Sequence, residues 1–171
     1  MKRALGNEFY SWSAFSEERQ IDFNGHLWVR DGGNILIDPV PMIDSDLNQL
    51  DDLGVVSHIV ITNRDHERQA AFFSARTGAQ VVVHAADAPL LEAAAERTLE
   101  DGEEAIVPGL RAVHLRHGKS PGELALYWPR RKLLLAGDLV VGAPVGKFSL
   151  LMDAKLADPP QAALELRKLL R

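Results

Sequence analysis

Residues 59–68 read Ile-Val-Ile-Thr-Asn-Arg-Asp-His-Glu-Arg, and the rest of the chain can be read outward from them. The β-branched apolar run from Ser57 to Thr62 gives way abruptly to six polar or charged residues, Asn63 to Arg68. A short apolar run without alternation predicts a strand buried on both faces, and the change to polarity marks its end. From Glu67 to Arg76 the composition predicts a helix. Asp65 is placed to cap it, with Glu67 favourable in the first turn. An aspartate and a histidine thus stand side by side where a buried strand opens into a polar loop.

Upstream, short strands are predicted over Phe9 to Phe15, His26 to Arg30 and Asn34 to Ile37, with Asp31-Gly32-Gly33 as a hairpin turn between the last two. Asp38-Pro39 then forces extended backbone and stops the strand. Asp46 to Leu53 reads as a helix. Downstream, Gln80 to His84 is a Val-rich strand, and Ala85 to Leu99 has the Ala/Leu/Glu composition of a helix. After the turn at Asp101-Gly102 come strands over Leu110 to Leu115, Glu123 to Trp128 and Lys132 to Ala136, close enough for an antiparallel meander. In the last helix Asp158 is the expected N-cap and Pro159 the first helical residue, with Ala162, Leu166 and Leu169 on one face. Strands, then β-α alternation, strands again and a closing helix predict a mixed α/β sandwich with helices outside its sheets. At 171 residues the chain is expected to be a single domain, residues 1–171.

Hydrophobic residues make up 46% of the chain and charged ones 25%, the balance of a globular protein. A net charge of −5 with no long basic run argues against nucleic acid as a partner. No apolar stretch reaches spanning length, which argues against a membrane. The start, MKRALGNEFYSWSAF, lacks a leader-like apolar core, so the cytoplasm is the expected compartment. There is no cysteine, which removes disulfides, thiolate nucleophiles and thiolate metal ligands together.

Four stretches in order resemble the signatures of the metallo-β-lactamase superfamily. Asn34 to Asp38 is similar to the strand whose terminal aspartate supports that family's site from behind the ligands. IVITNRDHER resembles the strand and loop carrying HxHxDH. Gly118 to Glu123, GKSPGE, resembles the GHTPGS turn, and Leu133 to Leu139, LLLAGDL, the strand ending in the metal-bridging aspartate. The resemblance covers roughly residues 26 to 142. It implies an αββα sandwich in a minimal single-domain form, with hydrolytic chemistry at one or two metal ions that activate water.

Carried over position by position, the resemblance places Asp65, His66 and Asp138 on family ligands. Ile61, Asn63 and Lys119 stand where histidines belong, and no residue after the final helix matches the last one. The degenerate set leaves two readings. In one, Asp65, His66 and Asp138 hold a single divalent ion, manganese, iron or zinc, and the chain is a metal-dependent hydrolase of a small-molecule substrate. One imidazole with two carboxylates is a hard set that suits manganese or iron better than zinc. In the other there is no metal and no catalysis. There Lys119 neutralises the carboxylates, because two facing carboxylates without a counter-ion are costly. The pocket then binds a small anion or a protein partner with help from Arg64 and Arg68. A third role for Lys119, as an amine nucleophile or base, needs a pKa tuned by burial.

Asp38, Asn63, Arg64, Arg68, His117 and Ser120 complete the candidate pocket, His117 as a proton carrier. His26, His58 and His84 have no partner pattern and read as structural. His114 and His117, three apart on a strand end, point to opposite faces and do not ligate together. Without the family's C-terminal strand a sheet edge is expected to be open, and a homodimer is one way to cover it.

Overall fold

The computed structural model describes residues 1–104, 106–142 and 144–170, and they form two compact units. Unit one comprises Met1–Ile61, His66–Val82 and Glu92–Arg97; unit two comprises Thr62–Asp65, Val83–Leu91 and Thr98–Arg171. The mixed α/β character expected from the sequence is present, with three α-helices and three sheets.

The larger sheet has seven strands in chain order. Strands β1 (Lys2–Leu5), β2 (Phe9–Ser16), β3 (Ile21–Trp28) and β4 (Asn34–Ile37) pair antiparallel in succession. After β4 the pairing changes sign. Helix α1 (Asp44–Asp52) carries the chain over to β5 (Val56–Val60), and α2 (Ala70–Thr77) leads to β6 (Gln80–His84). Both β4–β5 and β5–β6 are parallel. Parallel neighbours require such crossovers, and helices supply them. Burial follows the same division: every residue of β4 is buried, and Ile59 and Val60 are fully enclosed. In the antiparallel half, Gly25 lets Trp12 lie flat on β3, since a β-carbon there would come within 2.5 Å of the indole. The indole Nε1 donates to the Val40 carbonyl at 3.0 Å.

Two expectations around this sheet need correction. The segment 85–99 is not a helix. It makes a single 3-10 turn at Ala88–Leu90 and then strand β7 (Arg97–Leu99). Pro89 cannot propagate a helix, and the Glu67 carboxylate accepts the Glu92 and Ala93 N–H groups that one would have used. Glu96 is tied instead to β6: it accepts the Val81 N–H at 2.6 Å while its own N–H donates to the Val81 carbonyl. Helix α2 also begins at Ala70 rather than Glu67. Residues Arg64–His66 form a 3-10 turn instead, so Asp65 caps no α-helix.

In unit two, β8 (Arg111–His114), β9 (Leu124–Trp128) and β10 (Leu133–Leu135) make the expected antiparallel meander. The short pair β11 (Val140–Val141) and β12 (Ser149–Leu150) follows, then α3 (Pro159–Glu165). Asp158 caps α3 through the Gln161 N–H at 3.2 Å, with Pro159 at the first position. Ala162 enters a core of Leu115, Ala125, Leu139 and Leu156, and Leu166 and Leu169 pack against it. The helical spacing read from the sequence therefore sets which face is buried. Among the described residues no helix is long and apolar enough to cross a membrane.

All three histidines left as structural bear on stability. Burial lowers the pKa of His26 from 6.5 against the pull of Asp38, and it lowers that of His58, with Arg97 and Arg30 adding to the effect; burial followed by His114 lowers that of His84. A depressed folded-state pKa means that the unfolded chain binds the proton more readily. The stabilisation is then full above pH 6.5 and is lost as pH falls toward the folded values. Glu165, lowered by Lys168 and the Arg116 amide against the effect of burial, removes more stability below its ordinary 4.5. Urea midpoints should therefore fall monotonically on acidification from about pH 7.5 to about pH 5, and His84→Gln should flatten that slope. A midpoint rising over this range would contradict the assignment.

Candidate functional site

Two fully buried carboxylates shape the loops of unit two, and neither was singled out from the sequence. Asp87 accepts the Ser120 hydroxyl at 2.6 Å, the Gly122 N–H at 2.7 Å and the Arg64 N–H at 2.9 Å. It thereby ties the turn after β8 to the loop at Asn63–Asp65. Gly122 has to be glycine, because a β-carbon would lie 2.7 Å from the Asp87 carboxyl carbon and 2.9 Å from its backbone nitrogen. Glu123 receives the Asn63 amide at 3.3 Å and the Asp138 N–H at 3.2 Å on one oxygen. Asn63 in turn accepts the Asp65 N–H at 3.0 Å, and the Thr62 carbonyl accepts the Leu124 N–H at 2.7 Å. The segments at 62–65, 118–123 and 138 are thus fixed by hydrogen bonds to buried acids.

What they present is an ion triad. The Lys119 ammonium lies 2.6 Å from Asp138 and 3.1 Å from Asp65. The lysine side chain is 16% exposed, Asp138 27% and Asp65 46%. Burial works against the charged amine, but hydrogen bonding and charge attraction from Asp138, then from Asp65, outweigh it, so the pKa lies above its ordinary 10.5. Lys119 therefore holds its proton, the opposite of what an amine nucleophile or general base requires. Arg64 adds a longer contact, its Nε 3.6 Å from Asp65, with both side chains nearly half exposed. Such a pair contributes little to stability.

The remaining sequence candidates each have contacts of their own. In unit one His66 is buried, and its Nδ1 meets the Asp38 carboxylate at 2.9 Å. Asp38 sits at φ +48°, a left-handed conformation that aspartate tolerates better than most residues. The pairing places the ring proton on Nδ1, the arrangement carboxylates impose behind metal-bound imidazoles. Arg68 stacks its guanidinium 4.5 Å from the Phe23 ring and donates to the Asn24 carbonyl at 3.3 Å. His117 is an exposed turn residue at φ +64°, whose carbonyl accepts the Asp158 N–H. Ile61 is fully buried, its N–H donating to Val82. Ser120 is committed to Asp87.

A family model described as the metallo-beta-lactamase superfamily matches residues 1–171. The chain belongs to the metallo-β-lactamase superfamily. Solved structures agree on the fold. TTHA1623 in a di-iron-bound form shares 24% identity at a TM-score of 0.72, over 93% of this chain and 85% of that one. A metallo-beta-lactamase from Pontibacter korlensis shares 17% at 0.76, over 97% and 82%. The metallo-beta-lactamase family protein TTHA1429 from Thermus thermophilus shares 20% at 0.71, over 96% and 70%. A search of the curated proteins finds no match.

Membership implies a metal, and the donor set here does not fit one. A divalent ion between Asp65 and Asp138 would occupy the place of an ammonium already within hydrogen-bonding distance of both. Ile61, which the resemblance sets on a family histidine, is a fully buried hydrocarbon and offers no ligand atom. Among the described residues no three His, Asp or Glu side chains are grouped so that they could hold a metal ion.

If the ammonium is what lets the two carboxylates coexist, removing it should destabilise the fold. Lys119→Met is expected to lower the unfolding free energy by about 1.5–3 kcal/mol, the scale of a charged hydrogen bond at a partly buried site. Adding Asp138→Asn to Lys119→Met should recover part of the loss, because the repulsion is then gone. Denaturant melts of wild type and these variants read this directly; a double variant less stable than Lys119→Met would refute the charge argument.

Proposed function

We propose that this chain is a metal-independent, non-hydrolytic member of its superfamily, in which the Lys119 ammonium does the electrostatic work of the ion. The single observation carrying this reading is the placement of Nζ against both family carboxylates, at 2.6 and 3.1 Å. A cation there both satisfies the carboxylates and repels a divalent competitor. Arg64, Asp65, Lys119 and Asp138 together balance two positive charges with two negative ones. The half-exposed Arg64 guanidinium at the edge of the cluster is the contact point for an anionic group, on a small ligand or on a protein partner.

A second reading, a hydrolase with one ion on Asp65, His66 and Asp138, is favoured by one feature: the Asp38 carboxylate behind His66. Metal content separates the two. Protein purified without chelator should contain less than about 0.1 equivalent of manganese, iron or zinc. In equilibrium titration, Lys119→Ala should bind Mn²⁺ or Zn²⁺ at least about tenfold more tightly than wild type, because the competing cation is gone. About one equivalent of metal in wild type, lost on Asp138→Asn, would establish the second reading instead.

A further inference from the structure

Strand β9 connects two different electrostatic environments within unit two. At its start lies the Lys119 turn, where the ammonium has two acidic partners. Five residues later, about 16 Å along an extended chain, it runs into the sequence Pro129-Arg130-Arg131-Lys132. There a cavity of about 380 Å³ is lined by Glu104, Pro108, Gly109, Arg111, Pro129 and Arg130. Arg111 opens β8 opposite Tyr127, and Arg130 lies in the 3-10 turn Pro129–Arg131, so both project from fixed backbone. Among the described residues neither guanidinium has a hydrogen-bonding or ion-pair partner. Arg131 lies over the Trp128 ring at 5.1 Å, and Lys132 is exposed. Glu104, the one acid in the cavity wall, accepts the Gly109 N–H at 3.0 Å.

In a chain of net charge −5, two unpaired arginines on one concave surface stand out against the background. Like charges held on one cavity repel each other, and an oxyanion between them turns that repulsion into attraction. Guanidinium forks match the oxygens of phosphate and carboxylate groups in a way that a lone ammonium does not. The volume lies within the range of small-molecule pockets, and Pro108 and Pro129 supply apolar wall. We propose that this cavity is an oxyanion-binding site, separate from the Lys119 cluster. Its ligand is a small organic molecule whose phosphate or carboxylate group is read jointly by Arg111 and Arg130, and whose apolar part lies on the two prolines.

Amide chemical shifts test this on the full-length chain, with inorganic phosphate, phenyl phosphate and benzoate as probes at constant ionic strength. Saturable shifts are expected at the Gly109 and Arg130 amides. Phenyl phosphate should bind more tightly than inorganic phosphate, because only it reaches the prolines. The Arg111→Ala/Arg130→Ala double variant should weaken binding at least about tenfold, while Arg116→Ala, an exposed cation elsewhere in the unit, should leave it unchanged. Saturation by benzoate alone assigns the oxyanion as a carboxylate; saturation by the phosphates alone assigns it as a phosphate. Shifts reproduced by sodium chloride, shifts that never saturate, or full binding by a folded double variant would overturn the proposal. None of these outcomes depends on whether Lys119 replaces a metal.

Discussion

The ammonium of Lys119, shared between Asp65 and Asp138, determines what the neighbouring backbone has to do. Two carboxylates that close to one point need a cation, and the geometry of the loops must be set for whichever cation is present. A divalent ion draws several ligands inward and can itself organise loose segments, so metal binding and local folding are coupled in such sites. An ammonium offers only three donors on a flexible stem and organises far less. The backbone must then be held by something else. Here Asp87 and Glu123 hold it, with five hydrogen bonds from the loops at 63–65, 120–122 and 138. The buried acids and the lysine are two parts of one solution.

That division of labour also shows in the residues that the resemblance sets on family positions. Ile61, set on a histidine of the motif, is part of the hydrophobic core. Asn63, at another, turns its amide to Glu123 and its carbonyl oxygen to the Asp65 N–H, a bracing role that uses both ends of the side chain. Ser120, in the position of a small hydroxyl residue in the turn, anchors to Asp87. Asn63 and Ser120 thus commit their polar groups to hydrogen bonds inside the protein. The Asp38–His66 pair holds together because a buried imidazole needs an acceptor for its Nδ1 proton, whatever its Nε2 meets.

Much of this was legible in the chain because it rests on local signals. The unalternated run ending at Thr62, the Asp-Gly-Gly turn and the Asp158-Pro159 cap each have a short-range physical cause, and each lies where expected. The opposition of Lys119 to Asp65 and Asp138 followed from the family resemblance together with charge, and not from any local signal. Asp87 was not legible, because it sits in an Ala/Leu/Glu-rich stretch that composition assigns to a helix. The contradicting signal was there in Pro89, which leaves no room for a helix running on from Ala85. Glu123 was hidden differently. It closes the GKSPGE turn, and nothing in a one-dimensional pattern distinguishes an exposed turn glutamate from one that receives hydrogen bonds from Asn63, sixty residues away, and from Asp138. Long-range satisfaction of buried charge is a property of the assembled chain.

Along unit two, charge pairing is therefore more informative than charge count. Lys119 and Lys168 are cations with nearby acids, Lys168 meeting Glu165 at 2.6 Å and Asp101 at 3.6 Å, and their local role is complete without a ligand. Arg111 and Arg130 have no such partners among the described residues, and that difference changes what a solute experiences. A paired cation presents a dipole whose field decays quickly. An unpaired one presents a net charge that attracts anions over roughly a Debye length, about 8–10 Å at physiological salt. At the far end of β9 these two arginines therefore add an attraction for small anions to the one that the Arg64 guanidinium offers at the edge of the Lys119 cluster.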